Sequence, residues 1–192
     1  FRMEQENKPH ILYIEDSRAA ARLFQLRLEA AGFDVDWAAN GEEGLRMCES
    51  NQYDLIAVDF KMPRLNGLEV LQILAERGNQ APVIMITGQD DIRIAVEAMK
   101  LGAFDYLSKP FSDDELILAT AKAINNKRLA EENRILRKQL FAAFNFSNIV
   151  GQNPALTRIF DKIRKAAPTN STILLDGESG TGKELFAKAI HV

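Results

Sequence analysis

Short apolar runs alternate with longer amphipathic stretches over the first 125 residues of the chain. The runs are about four residues long, as in buried strands, and the stretches between them place apolar side chains about 3.6 residues apart, as in helices that face a core. In the first stretch, Ala21, Phe24 and Leu28 keep this period and Gly32 ends it. The pattern predicts strands at residues 11–14, 35–37, 55–58, 83–86 and 104–107, and helices at residues 17–31, 42–48, 68–74, 92–101 and from 113 onward.

This alternation predicts an α/β fold in which helices cover both faces of a parallel sheet. Such a sheet binds its ligands beyond the carboxyl ends of the strands. The residues at those ends have side chains suited to chemistry, and they are Glu15, Asp16, Asp59, Thr87 and Lys109. We therefore expect these five side chains to share one pocket.

The composition of this pocket suggests two ligands. Three carboxylates held together repel one another, which favours a bound cation, and oxygen ligands of this kind suit Mg²⁺. Thr87 and Lys109 suit the oxygens of a phosphoryl group instead. Asp59 follows the central strand and is the candidate nucleophile for an aspartyl phosphate. A single aspartate at a strand end is usually a cap or turn residue, but five such positions together favour a site.

The motifs of residues 8–125 occur in a characteristic order, which is Glu15-Asp16, Asp59, Pro63, Gly67, Thr87-Gly88 and Lys109-Pro110. In this order they resemble the receiver domain of two-component response regulators. The resemblance implies a flavodoxin-like (βα)5 fold with a central five-stranded parallel sheet. It also implies that a sensor histidine kinase transfers a phosphoryl group to Asp59 in the presence of Mg²⁺.

The resemblance further implies how the metal would be held. Asp16 and Asp59 would ligate Mg²⁺ together with the backbone carbonyl of Lys61, and Glu15 would hold a metal-bound water. These roles are carried over by position in the motifs.

Three residues gain a role toward the phosphoryl group by the same resemblance. Thr87 and Lys109 would bind its oxygens, and Tyr106 would change rotamer as the threonine moves. A half-exposed strand tyrosine can also serve packing alone, so both interpretations of Tyr106 stay open. The resemblance also implies a cis peptide bond between Lys109 and Pro110.

The overall composition is that of a globular protein, with 46% hydrophobic and 27% charged residues among 192. The single cysteine, Cys48, cannot form an internal disulfide, and no apolar run approaches the roughly 18 residues of a membrane-spanning helix. We therefore expect a cytoplasmic protein without membrane contact. The net charge is −7 over residues 8–126 and +5 over residues 127–192, which predicts a boundary near residue 126.

A second pattern begins at this boundary. Residues spaced alternately by four and three positions form a heptad seam, and they are Leu129, Asn133, Leu136, Leu140 and Ala143. A continuous helix over about 113–142 could pair along this seam with its copy in a homodimer, where Asn133 would set the register. The alternative is an amphipathic helix that packs on its own chain. We expect a helical coiled-coil linker at residues 126–146.

The last part of the chain contains a glycine-rich phosphate-binding loop between an apolar segment predicted as a strand, residues 173–175, and a helical run. The candidate ATP-binding residues are Gly177, Glu178, Ser179, Gly180, Thr181, Gly182, Lys183 and Glu184. Glycines let backbone N–H groups point at phosphate oxygens, and Lys183 would reach the β and γ phosphates. Glu184 departs from the general motif, which has Ser or Thr there. A glycine-rich loop without a ligand is the alternative.

With VGQNPAL upstream and AKAIH downstream, GESGTGKE resembles the start of the AAA+ ATPase domain of sigma-54-dependent enhancer-binding proteins of the nitrogen-regulator type. The resemblance covers residues 147–192. It implies that the intact protein hydrolyses ATP and works with RNA polymerase carrying sigma-54 and with enhancer DNA. The second acidic strand and the arginine finger of such ATPases are not in these 192 residues, so we expect no competent ATPase in this chain.

Three functions fit the sequence. The leading one is a response regulator in which phosphorylation of Asp59 switches the receiver and the linker dimer, and so controls the ATPase and sigma-54-dependent transcription. The second is a P-loop ATPase with an attached sensor domain. The third is a stand-alone receiver that acts as a protein-interaction module.

Overall fold

The computed structural model describes residues 8–88, 92–143, 162, 172–178, 183 and 187, and in the last helix the side chains up to residue 138. Its strands are β1 (His10–Ile14), β2 (Asp34–Ala38), β3 (Leu55–Asp59), β4 (Val83–Gly88) and β5 (Asp105–Lys109). Its helices are α1 (Arg18–Ala30), α2 (Gly41–Ser50), α3 (Gly67–Glu76), α4 (Ile92–Lys100) and α5 (Asp113–Ala143). The predicted alternation of five strands with five helices is confirmed.

The five strands form one parallel sheet in the order β2-β1-β3-β4-β5. Every residue of β3 is buried, as expected of the central strand of a sheet that is covered on both faces. One face packs on α2, α3 and α4 through residues such as Leu45, Leu71 and Ala98. The other packs on α1 and α5 through residues such as Phe24 and Leu116. The predicted flavodoxin-like fold is therefore confirmed.

Local hydrogen bonds fix where the helices begin. Ser17 caps α1 through its side chain, which accepts from the Ala20 N–H at 3.4 Å. A capping box opens α5, because the Glu115 N–H donates to Ser112 Oγ at 3.2 Å and the Ser112 N–H donates to the Glu115 carboxylate at 2.8 Å. α5 then runs continuously to Ala143, as the sequence predicted.

Several element ends differ from the predicted ones. β4 extends to Gly88 and β5 to Lys109, so Thr87 and Lys109 lie within their strands rather than after them. Strand ends are set by ladder hydrogen bonds, which continue past the apolar run that marks the strand in the sequence. Residues 173–175, predicted as a strand, do not pair with any strand among the described residues and so form no strand of a sheet there.

The sheet and the first turns of α5 belong to one compact unit that extends to Leu129. Within the described ranges, no helix combines the length and the apolar character needed to cross a membrane.

Candidate functional site

The carboxyl ends of the strands bring three of the five predicted side chains into one hydrogen-bonded group. Glu15 follows β1 directly, Asp59 is the last residue of β3, and Lys109 is the last residue of β5. Because all strands are parallel, these ends lie at the same edge of the sheet. β1 and β3 are neighbours, and the long Lys109 side chain reaches from the edge strand to both acids.

Lys109 bridges the two carboxylates. Its Nζ lies 2.7 Å from Glu15 Oε2 and 2.5 Å from Asp59 Oδ1. Both acids are nearly enclosed, with 3% of Glu15 and 5% of Asp59 exposed, whereas about a third (35%) of the Lys109 side chain reaches solvent. Burial alone would lower the pKa of Lys109, but its hydrogen bonds to Asp59 and Glu15 outweigh this and raise its pKa, so it stays protonated.

Glu15 is held by a dense set of donors. Besides Lys109, the Tyr13 hydroxyl donates to Oε2 at 2.7 Å and the Ser17 N–H donates to Oε1 at 3.1 Å. The indole N–H of Trp37 donates to the backbone carbonyl of Glu15 at 2.7 Å. Burial raises the pKa of Glu15, but the hydrogen bonds from Lys109, Tyr13 and Ser17 outweigh it and its net pKa is lowered.

Asp59 has fewer donors and a pKa shifted the other way. Its Oδ2 accepts the Lys61 N–H at 2.7 Å, and its Oδ1 accepts from Lys109. Burial raises the pKa of Asp59, the charge of Glu15 adds to this, and the Lys109 ammonium only partly offsets them. The ionised form of Asp59 is therefore less favourable in this pocket than it is in water.

The backbone at the start of α3 lies close to Asp59. A Cβ at Gly67 would lie 2.6 Å from the Asp59 carbonyl oxygen and 2.8 Å from Met85 Sδ. Only a glycine fits there without a shift of Asp59 or Met85. The Gly67 N–H also donates to the Phe60 carbonyl at 3.1 Å, which closes the loop beside Asp59.

The other predicted site residues lie close in the fold but outside the hydrogen-bonded group. Asp16 is exposed at the rim. Thr87 is 2% exposed and its hydroxyl donates to the Gly88 carbonyl at 3.4 Å. Tyr106 is 47% exposed on β5. The Lys109–Pro110 peptide bond is cis, as the resemblance implied.

The metal site stays a prediction. In the part of the chain that the structure describes, no group of three His, Cys, Asp or Glu side chains is arranged to hold a metal ion. The physical reason is visible at Glu15 and Asp59, whose carboxylates are both turned to the Lys109 ammonium. The backbone carbonyl of Lys61 is a predicted metal ligand, and the backbone N–H of the same residue donates to Asp59 Oδ2.

The sequence interpretation missed Tyr13, which lies in β1 two residues before Glu15. Residues two apart in a strand lie on the same side of the sheet. A tyrosine in an otherwise aliphatic strand, two positions before a candidate acid, was the available signal.

Part of the predicted phosphate-binding loop is described. Lys183 Nζ donates to the Gly177 carbonyl at 2.5 Å and to the Glu178 carbonyl, and the Gly177 N–H donates to Asp176 at 2.8 Å. The predicted ligands Ser179, Gly180, Thr181, Gly182 and Glu184 lie outside the described residues, as do most residues of the helical run that follows the loop and the side chains of Leu140 and Ala143.

Comparison with known proteins identifies two segments. Residues 11–121, more than half of the chain, match the family described as "Response regulator receiver domain", and residues 149–192 match the "Sigma-54 interaction domain". The fold and the acidic strand ends thus define a receiver domain. The chain belongs to the response regulator receiver family.

The relatives are regulatory proteins with the same order of segments. The chain is 34% identical over 181 residues to the regulatory protein AtoC of Escherichia coli (strain K12), covering 94% of this chain and 39% of AtoC. It is 33% identical over 183 residues to the C4-dicarboxylate transport transcriptional regulatory protein DctD of Rhizobium meliloti (strain 1021), covering 95% of this chain and 40% of DctD. The chain thus spans about two fifths of the length of these relatives.

Solved structures give the same result. A response regulator receiver domain protein from Clostridium thermocellum is 37% identical, with a TM-score of 0.61 over 64% of this chain and 98% of that one. NtrX from Brucella abortus, solved in complex with ADP, is 32% identical, with a TM-score of 0.68 over 96% of this chain and 40% of that one.

Proposed function

We propose that this chain is a phosphoryl-accepting switch of a two-component system, with Asp59 as the acceptor. The observation that carries the proposal is the Lys109 ammonium, which is hydrogen-bonded to Asp59 and Glu15 at once. In the transfer, an Asp59 oxygen attacks the phosphorus of a histidyl phosphate on a sensor kinase, the P–N bond breaks, and the imidazole leaves with a proton. Lys109 is already in place to bond to a phosphoryl oxygen as the Asp59 carboxylate becomes an acyl phosphate.

The donor set of the pocket fits a Mg²⁺ ion. Asp16, Asp59 and the Lys61 carbonyl would hold it, and Glu15 would hold one of its water molecules. All of these donors are oxygens. Lys109 pairs with Glu15 and Asp59, and Asp16 at the rim adds a third carboxylate, which leaves a net negative charge for a divalent cation to neutralise. When bound, Mg²⁺ supplies positive charge beside the phosphoryl oxygens.

The phosphoryl group would be sensed through Thr87 and Tyr106. Thr87 is buried on β4, next to the acceptor strand, and its weak 3.4 Å bond to Gly88 leaves its hydroxyl free to turn to a phosphoryl oxygen. Tyr106 is half exposed on β5, the neighbouring strand, so its ring is not fixed by complete burial. These positions support a route by which phosphorylation of Asp59 would change the exposed surface of the edge strand β5.

Phosphorylation with a small donor tests the acceptor. Incubation with acetyl phosphate and Mg²⁺ is expected to add one phosphoryl group to the wild-type chain, detected by intact-mass spectrometry, and none to Asp59→Asn. Asp54→Asn is the matched control, because Asp54 lies just before the opposite end of the same strand. Equal labelling of the Asp59 variant and the wild type, or no labelling of either, would contradict the proposal.

We also propose the domain order for the whole protein. Residues 8–125 are the receiver, residues 126–146 a linker that forms a homodimer, and residues 147–192 the start of a sigma-54-interacting AAA+ ATPase domain. The match of residues 149–192 supports the last of these. Leu129 and Leu136 on the linker helix are 62% and 51% exposed, as a helix that awaits a partner requires.

In the intact protein the switch would control ATP hydrolysis and transcription by RNA polymerase with sigma-54 at enhancer DNA. The named relatives AtoC and DctD are regulatory proteins, which supports this output. ATP would bind at residues 177–184, with Lys183 exchanging its bonds to the Gly177 and Glu178 carbonyls for phosphate oxygens. Binding of a fluorescent ATP analogue is expected to be lost in Lys183→Ala and kept in Lys162→Ala. Equal binding by both variants would contradict this site.

A further inference from the structure

We infer that Tyr13 is a positioning residue of the acidic pocket, which acts through Glu15 on the binding of Mg²⁺. The inference rests on the proposed function of the pocket and adds a residue to it. Tyr13 contacts neither Asp59 nor Lys109 in any hydrogen bond of the described residues, and its hydroxyl donates to Glu15 Oε2 at 2.7 Å.

The buried location of Tyr13 requires that its hydroxyl have a hydrogen-bond partner. Its ring is 1% exposed and is stacked on Phe24, with ring centroids 3.8 Å apart and planes inclined by 20°. The other buried members of the same core cluster are alanine, isoleucine, leucine and phenylalanine. A phenol enclosed by such residues is unfavourable unless its hydroxyl finds a partner, and Glu15 is the partner within reach.

The bond decides the orientation of the Glu15 carboxylate. Its Oε2 accepts from both Tyr13 and Lys109, while its Oε1 accepts only the Ser17 N–H at 3.1 Å among the described residues. The rigid stacked phenol therefore fixes where Oε2 lies. This in turn fixes where the flexible lysine places its ammonium between Oε2 and Asp59 Oδ1.

Loss of the hydroxyl would leave Oε2 with the Lys109 ammonium alone. The carboxylate could then turn about its last bond, and Lys109 would follow it away from Asp59. Both changes disturb the oxygen set that would receive Mg²⁺ and its water. Removal of a partner that orients a metal ligand typically weakens metal affinity by 10- to 100-fold. Because Glu15 would act through a metal-bound water, we expect the lower end of this range, about tenfold.

Tyr13→Phe removes only the hydroxyl and keeps the stacked ring. The matched control is Tyr53→Phe, because Tyr53 is also buried and its hydroxyl also donates to a carboxylate, that of Asp36, at 2.8 Å. Tyr53 lies just before the amino end of β3, whereas Asp59 lies at its carboxyl end. Both variants lose one hydrogen bond from the hydroxyl of a buried tyrosine, and only the first loses it at the pocket.

The experiment is a calorimetric titration of the 192-residue chain with Mg²⁺, followed by acetyl-phosphate labelling over a range of Mg²⁺ concentrations. We expect Mg²⁺ binding about tenfold weaker in Tyr13→Phe and unchanged in Tyr53→Phe. The labelling rate of Tyr13→Phe should recover at saturating Mg²⁺, since the acceptor and Lys109 are both present. If loss of the Tyr13 hydroxyl only destabilised the fold, the Mg²⁺ concentration needed for labelling would not rise in Tyr13→Phe alone.

Two results would overturn the inference while the proposed function stands. They are wild-type Mg²⁺ affinity in Tyr13→Phe, and equal weakening in both tyrosine variants. If the wild-type chain neither binds Mg²⁺ nor becomes labelled, the proposed function fails and the inference fails with it.

A second measurement does not depend on the folding of any variant. In the wild-type chain with ¹³Cζ-labelled tyrosine, Mg²⁺ with beryllofluoride is expected to shift the Tyr13 signal and leave the Tyr53 signal in place. An unmoved Tyr13 signal would overturn the inference. A double variant completes the test, because Tyr13→Phe should have no further effect on Mg²⁺ affinity once Glu15→Gln is present.

Discussion

At the scale of single residues, Glu15 and Asp59 show how neighbouring groups shift the pKa values of two buried carboxylates in opposite directions. Both carboxylates are buried and bonded to Lys109. Tyr13 and Ser17 add donors to Glu15, so its pKa is lowered in spite of burial. Among the described residues, Asp59 accepts only from the Lys61 N–H besides the ammonium, and burial raises its pKa. The first carboxylate stabilises the fold in its charged form, whereas the charged form of the second destabilises it.

The raised pKa of Asp59 predicts that Asp59→Asn stabilises the receiver. Because the folded-state pKa lies above the unfolded value of 3.8, the unfolded chain gives up the proton first. The free energy of unfolding therefore falls as the pH rises through the folded-state pKa, and the asparagine removes this loss. Urea unfolding should show the gain near neutral pH, and the gain should shrink as the pH approaches 3.8.

Asp54→Asn is the control of opposite sign. Burial raises the pKa of Asp54, but hydrogen bonds from the His10 N–H and Lys127 outweigh it and the net pKa is lowered. Its charge thus stabilises the fold above the unfolded pKa, and this stabilisation is lost as the pH falls through the folded-state value. The variant should be less stable than the wild type near neutral pH. Two variants that change stability in the same direction would contradict these assignments.

A buried threonine gives a second prediction at this scale. Thr120 on α5 is 0% exposed, and its hydroxyl has no hydrogen-bond partner among the residues the structure describes. Thr120→Val replaces the unpaired hydroxyl by a methyl group of the same size, and we expect about 1 kcal/mol of stabilisation in urea unfolding. Acetyl-phosphate labelling should be unchanged.

Thr87→Val is the matched variant, because Thr87 is equally buried but lies at the pocket. We expect it to slow labelling several-fold while it leaves the fold intact. If Thr120→Val slowed labelling as much, the assignment of Thr87 to the phosphoryl group would be wrong.

At the scale of elements, the sequence predicted the type and order of all ten elements of the sheet unit. Period and run length alone carry this information, because they reflect which faces are buried. Element ends were predicted less well. α2 begins at Gly41 because the Asn40 side chain accepts the Glu43 N–H, and no apolar position marks that bond.

The sequence likewise predicted some features of the site and not others. Parallel topology predicted that Glu15, Asp59 and Lys109 would meet, since strand ends share one edge. The bridging position of Lys109 and the bond from Tyr13 depend on side-chain rotamers, and a buried strand tyrosine is usually a packing residue. The close approach at Gly67 likewise depends on a backbone path that periodicity does not specify.

The attachment of α5 to the sheet gives the prediction that belongs to elements. Lys127 Nζ donates to the Tyr53 carbonyl at 2.8 Å and to Asp54 Oδ1 at 3.0 Å, at the edge opposite the pocket. Lys127→Met should remove both bonds and lower stability by about 1 kcal/mol. Hydrogen exchange should be faster in the amides of α5 near residue 127.

Lys122→Met is the control for this prediction. Lys122 lies on the same helix and pairs with Asp105 at 3.2 Å, but its side chain is 64% exposed, so its loss should change exchange little. Equal acceleration by both variants would show that Lys127 does not attach the helix.

At the scale of the whole molecule, α5 joins the receiver to the rest of the chain. Its 31 residues correspond to about 46 Å of helix at 1.5 Å per residue. The described side chains from Arg128 to Lys138 are all exposed, including the apolar Leu129, Ile135 and Leu136. Exposed leucines spaced by seven residues are what one half of a coiled coil presents before its partner binds. A signal at Asp59 could then reach the second half of the protein through the pairing of two such helices.

The last prediction is that Leu136→Lys weakens dimerisation while Ile135→Lys does not. Leu136 lies on the heptad seam with Leu129 and Asn133, and a lysine there would bring two ammonium groups together between the helices. Ile135 is similarly exposed, at 44% against 51%, but lies off the seam. Sedimentation equilibrium of the 192-residue chain should show a dimer for the wild type and Ile135→Lys, and a dissociation constant at least about tenfold higher for Leu136→Lys. A monomeric wild type, or equal weakening by both lysines, would mean that the exposed leucines face something other than a second copy of this helix.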